Sequence, residues 1–150
     1  MANVTNTTQL SLFSLIRTAI ETNSTLAVKF SDRNILQFEP KHKASGFCGF
    51  PYIVVRVPSS DTEFILLNHS DNEDTFESEI SLVMEYMARD NFLTYANALI
   101  YQLEATESTF GNSGYENVKI GLRNVQEVTE DSKELVVGTF TISFTGWVGR

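Results

Sequence analysis

The stretch from Thr75 to Glu104 constrains the fold most, because a period of two in its apolar residues gives way within a few positions to a period of 3.6. Phe76, Ser78, Ile80, Leu82, Met84 and Tyr86 alternate with Glu77, Glu79, Ser81, Val83, Glu85 and Met87. A strand with this pattern turns one face to a core and starts its other face in water. After Arg89-Asp90-Asn91 the period changes, and Phe92, Leu93, Ala96, Leu99, Ile100 and Leu103 cover an arc of about 120° on a helix, enough to dock on a sheet. The rest of the chain reads as packing for this strand-to-helix unit.

Upstream, the polar residues 1 to 8 read as a loose N-terminal arm. A one-sided helix is expected over Gln9 to Thr22, with Leu12, Leu15, Ile16, Ala19 and Ile20 inward, Phe13 at the edge, and Asn23-Ser24 at its end. Thr25 to Phe30 and Ile35 to Phe38 are β-type runs around the turn composition of Ser31-Asp32-Arg33-Asn34, and suggest a small hairpin. Glu39 to Gly49 reads as a mobile, mildly basic loop carrying Lys41 and Lys43, with Phe47 either offered to a partner or tucked back onto the sheet. Tyr52 to Val57, opened by Pro51 and closed by Pro58, is the strongest strand and is expected near the sheet centre. A turn at Ser59 to Thr62, a strand over Glu63 to Leu67 and an acidic tip over Asn68 to Asp74 lead into the long strand as an antiparallel meander.

Beyond the second helix, Gly111 and Gly114 break regular structure. Tyr115 to Val128 and Leu135 to Val148 then form a hairpin about the turn Thr129 to Lys133, with Val136, Phe140, Ile142 and Phe144 on one face and Val137, Thr139, Thr141, Ser143, Thr145 and Trp147 on the other. The pattern as a whole predicts an α+β fold, an antiparallel or mixed sheet with two amphipathic helices on one face. At 150 residues the chain reads as one domain, long enough to bury about two-thirds of its unfolded surface without disulfides or metals.

The net charge of -8 is concentrated, since Asp61 to Asp90 holds nine acidic residues against Arg89 alone. Such a field disfavours gripping a nucleic-acid backbone or an anionic membrane, and suits a surface that nucleic acid passes without sticking. The plainer alternative is a solvated face that aids solubility. Neither a run of about 18 apolar residues nor a signal-type N-terminus is present, so a cytosolic origin is expected.

Few residues are spaced as a catalytic constellation requires. Gly46-Phe47-Cys48-Gly49 lacks the spacing of a phosphate loop and its following lysine. Cys48, the single cysteine, could pair with His42 or His69 as nucleophile and base, but no orienting acid is identifiable, which favours an inert thiol. Asp71, Glu73 and Asp74 beside His69 lack the glycine and distal glutamate of a calcium loop. Glu77 and Glu79 share a strand face as acid and base groups might, yet without pocket-forming neighbours they read as solvated charges or interface partners. No catalytic residue, cofactor or metal is expected.

The order of elements resembles the tail-terminator, or tail-to-head joining, proteins of long-tailed bacteriophages and related viruses. The resemblance runs from about Leu12 to Trp147 and is carried by the Phe50-Pro51-Tyr52-Ile53-Val54 strand through Val57, the Thr75 to Leu103 unit, and the Val136 to Thr145 strand. It implies a virion protein of the tail and neck, assembled in the host cytoplasm as a homo-oligomeric ring, a hexamer in that family. Such a ring stops tail-tube polymerisation and presents a docking surface to head-closure proteins, while DNA crosses its lumen without specific binding. The partner- or lumen-facing candidates are Lys41, Lys43, Phe47, Asp71, Glu73, Asp74, Glu77 and Glu79. The rival readings are another ring- or tube-forming virion component (head-closure, tail-tube or baseplate), and a small ligand-binding or enzymatic α+β domain built on the His42 to Cys48 loop.

Overall fold

A computed structural model describes residues 9–56, 72–105, 115–130 and 132–148. Helix α1 spans Gln9–Thr22. Its buried side chains, Phe13, Ile16, Ala19 and Ile20, recur at helical spacing, and Arg17 and Glu21 pair one turn apart at 3.3 Å on the exposed side. The chain does not then enter a hairpin. Ser24–Ala27 forms one helical turn, α2, because the Asn23 side chain accepts from the amides of Thr25 at 2.9 Å and Leu26 at 3.1 Å. This N-cap outweighs the β preference of the sequence and leaves Leu26 and Phe30, four residues apart, buried together.

The Ser31 to Asn34 turn is present, closed by Ser31 N–H donating to Asn34 Oδ1 at 2.8 Å. It leads to β1, Ile35–Leu36, which pairs in parallel with β2, Tyr52–Arg56, and not with the residues before it. The anchor is again an asparagine: the Asn34 side-chain amide donates to Lys29 O at 2.6 Å and to Pro51 O at 3.0 Å, and the Asn34 backbone carbonyl accepts from Ile53 N–H.

Strand β3, Asn72–Glu85, is followed by a 3₁₀ turn over Tyr86–Asn91 and by helix α3, Phe92–Ala105. Strands β4, Tyr115–Glu130, and β5, Lys133–Val148, complete a mixed five-stranded sheet of order β1-β2-β3-β5-β4. The fold is therefore α+β. β3 holds the centre, paired with β5 over fourteen positions and with β2 over five, so β2 lies near the centre, as expected, but beside it. β2 reads as central because both its faces are buried, but its outer neighbour has only two residues.

The predicted acidic tip also needs correction. Glu73 and Asp74 lie within β3, opposite Trp147 and Gly146, since the long strand begins before Thr75. β2 pairs directly with β3, while Asp71 and the expected strand at Glu63 to Leu67 lie outside the described residues.

One apolar cluster joins Phe13, Ile16 and Ile20 of α1, Leu26 of α2, and Tyr95, Leu99 and Leu103 of α3 to Ile53, Val55, Ile80, Leu82, Phe140 and Ile142 of the sheet. Leu93 is not part of it and stands 65% exposed. Tyr95 meets the Phe30 ring edge-on at 5.6 Å, and Gln102 accepts a hydrogen bond from the Asn23 side chain at 3.2 Å. The Phe92 ring lies over Gly138, where an added Cβ would stand 2.3 Å from Cζ. The β4–β5 hairpin is as expected, tightened by Ser132 at φ 68°. Among the described residues no helix is long and apolar enough to cross a membrane.

Candidate functional surfaces

The opposite face of the sheet is divided. Near β2 it is apolar, and Tyr52, Val54, Val83 and Leu135 form a second cluster with Phe47, Cys48, Phe50, Val128 and Val137. The loop before β2 thus lies across the sheet as a strap, and Phe47 takes the tucked-back option. His42 is fixed within it: its side chain is 6% exposed and its ring lies 4.9 Å from that of Phe47 and 5.1 Å from that of Phe50. The Tyr52 hydroxyl donates to Glu39 Oε1 at 2.7 Å, so its oxygen accepts from His42 Nε2–H at 2.9 Å. Nδ1 faces Glu130 Oε1 at 3.4 Å without a hydrogen bond. Burial above all, then the hydrogen bond to Glu39 and the charges of Glu39, Glu130 and Cys48, push the Tyr52 hydroxyl far above the usual phenol range. The other oxygen of Glu39 accepts from Arg56 Nη2 at 2.9 Å, and Arg56 Nη1 donates to Ser81 Oγ at 2.9 Å.

This geometry bears directly on the thiol-enzyme reading. The imidazole is engaged by Tyr52, and Cys48 Sγ donates to Gly49 O at 3.4 Å. Burial raises the Cys48 pKa, partly offset by its backbone hydrogen bond and by the Arg33 charge. The site favours a protonated thiol over a thiolate nucleophile. No group of three or more metal-binding side chains gathers among the described residues.

Beyond the strap the same face is polar and open. Glu77, Ser78, Glu79, Arg123, Thr139 and Thr141 line a groove of about 450 Å³. Arg123 Nε donates to Thr141 Oγ1 at 3.0 Å, and Arg56 Nη1 lies 3.6 Å from Glu79 Oε1. Ligand pockets of this size are mostly apolar with a few polar groups. This groove is lined by polar side chains only.

The structure separates the residues singled out from the sequence. Glu77 and Glu79 are exposed on the polar face, and Lys41 and Lys43 are exposed on the strap beside the half-buried Phe47. Glu73 and Asp74 occupy strand positions, and Asp71 lies outside the described residues. Sequence reading missed Arg123, which stands at the irregularity between Leu122 and Asn124, and the network Glu39–Tyr52–His42. Only the alternation of β4 could have pointed to the first, and that irregularity interrupts it.

The third feature is an edge. β4 bonds to β5 along one side and has no strand on its other side among the described residues, and its Leu122 and Val125 are 38% and 47% exposed. The described residues thus present an apolar strap, a polar groove and the edge of β4. No protein-family model matches the chain, and no curated protein matches it either.

Proposed function

We propose that this chain is a virion tail terminator: it forms a ring on the end of a viral tail tube, stops further polymerisation, and offers the opposite side of the ring to head-closure proteins. The observation that carries the reading is the sixteen-residue edge strand β4 with its exposed apolar residues, a surface that a neighbouring subunit can complete. The acidic run supports it. Glu77 and Glu79 stand in water, and a lumen through which DNA moves is best lined without phosphate-binding cations. The resemblance in element order, from the Pro51-led strand to the β5 alternation, supports it further.

Negative-stain imaging of the purified chain, alone and with tail tubes, tests the reading. Single discrete rings or capped tubes are expected; a monomer at every concentration that never binds a tube would overturn it. The same edge also favours a tail-tube or other ring-forming virion component, and long tubes of this chain alone would establish that reading instead. The lumen assignment has its own test, since Glu77→Lys with Glu79→Lys should reduce particle yield or DNA ejection. Unchanged yield and ejection would remove it.

A further inference from the structure

The strap is pinned at its middle by a side chain with one bond unmade. His42 is 6% exposed, yet its Nδ1 has no hydrogen-bond partner. Buried polar atoms are nearly always bonded, so this one needs a physical reason. The reason lies in the direction of the bonds around the ring. The Tyr52 hydroxyl donates to Glu39, so Nε2 carries the ring proton that reaches the same oxygen at 2.9 Å. A neutral imidazole has one N–H, which leaves Nδ1 a bare acceptor. The atom it faces, Glu130 Oε1 at 3.4 Å, is an acceptor too.

A second ring proton resolves this opposition. The imidazolium donates from both nitrogens, Nε2–H to Tyr52 and Nδ1–H to Glu130, and a buried cation is tolerated where its donors are bonded and its charge is met. The other charges around the ring are already engaged or point away. On the strap, Glu39 lies beyond the Tyr52 hydroxyl and pairs with Arg56 of β2 at 2.9 Å, Cys48 Sγ donates to Gly49 O, and Lys41 and Lys43 are exposed. Arg33 reaches Cys48 O at 3.5 Å. On β5, Lys133 stands opposite Glu130 in register, bonds to Glu85 at 3.3 Å and lies 5.8 Å from the centre of the Phe50 ring. Glu130, the last residue of β4, is thus the anion that Nδ1 faces.

We infer that the strap is a proton-sensitive latch: an imidazolium at His42 closes it onto Glu130 at the end of β4, and loss of the Nδ1 proton loosens it. The latch ties the strap to the β4–β5 hairpin across the apolar cluster of Tyr52, Val54, Val83 and Leu135. The closed strap offers the second proton an acceptor that the open strap lacks, so the closed form binds it more tightly. Closure is therefore strongest on the acid side of the range in which imidazoles titrate, about pH 5 to 8, and weakens as the pH rises through it. This holds with or without the terminator reading.

Hydrogen exchange of the full-length chain, followed by NMR on both sides of that range, tests the latch, with β3–β5 amides as the reference for the pH dependence of exchange itself. The amides of Ala44 and Phe47, bonded to Lys41 O and Ala44 O at 3.1 Å each, report strap opening. In wild type their protection should fall about three- to tenfold from the acid to the alkaline side, the size of a charge-assisted bond to a half-exposed carboxylate. The ring nitrogen shifts of His42 should pass from the doubly protonated form to the Nε2–H tautomer over the same range, read in a His69→Gln background that removes the other imidazole. Glu130→Gln, at a side chain 49% exposed, leaves the core untouched and adds an amide N–H that a neutral Nδ1 can accept, so the pH dependence should flatten or reverse. Equal protection on both sides in wild type, or the same decline in Glu130→Gln, would overturn the latch.

Discussion

Tyr52 shows how one residue fastens the strap to the sheet. Its phenol is buried and donates a hydrogen bond to Glu39, so the folded chain retains that proton at a pH where the unfolded chain, with an ordinary value of 10.0, releases it. The unfolded state then binds fewer protons, and the stability present below about pH 10 is lost as the pH rises beyond it. Denaturant titrations of wild type should show this alkaline decline, and Tyr52→Phe should flatten it while costing about 1 to 3 kcal/mol at neutral pH through the hydrogen bonds it strands. Gly138 is constrained by space alone. Gly138→Ala should destabilise by about 1 to 3 kcal/mol, because the Phe92 ring is itself buried and has little room to move. A double-mutant cycle with Phe92→Leu should recover much of that loss, and additive effects would show that the ring is not the cause. Residue-level reading from sequence reached Phe47 with both its options open. The Glu39–Tyr52–His42 network was out of reach, because residues ten and thirteen apart meet only after the strap folds back.

The elements legible in the sequence were those whose periodicity extends over many residues. α1, β3, α3 and the β4–β5 hairpin follow from apolar spacing alone, and the Ser31 to Asn34 turn and a strand at Ile35–Leu36 from local composition, whereas the helical turn at Ser24–Ala27 and the pairing of β1 with β2 do not. There the outcome is decided by single side chains: Asn23 caps a helical turn and Asn34 ties β1 to β2, and neither changes the hydrophobic pattern. Asn23→Ala should cost about 1 to 2 kcal/mol by thermal or chemical unfolding, and Asn23→Ser, which keeps a capping oxygen, should cost less. The hairpin offers a change in the opposite direction. Ser132 sits at φ 68°, a conformation that glycine adopts without a Cβ penalty, so Ser132→Gly should leave stability unchanged or raise it by up to about 1 kcal/mol. A clear loss of stability would show that the Ser132 side chain contributes more than its backbone strain.

Across the whole molecule, the open surfaces differ in chemistry. The sheet has an apolar half under the strap, a polar half bearing Glu77, Glu79 and Arg123, and the long end strand β4. Composition placed the acidic charge on the right strand but not on the right part of it, because a strand that starts at Asn72 draws Glu73 and Asp74 into its ladder. Edge identity was not legible at all, since strand order depends on long-range pairing that local pattern does not encode. The fourteen-position register between β3 and β5 has a mechanical consequence. Force applied along these strands loads the whole ladder in shear, while force applied across it opens the pairs one after another. In single-molecule pulling of a Cys48→Ser background, tethers at Glu73 and Glu134, at opposite ends of the ladder, should rupture at higher force than tethers at Glu73 and Trp147, which face each other. A subunit seated where a genome is driven through under pressure would gain from carrying its load along that direction.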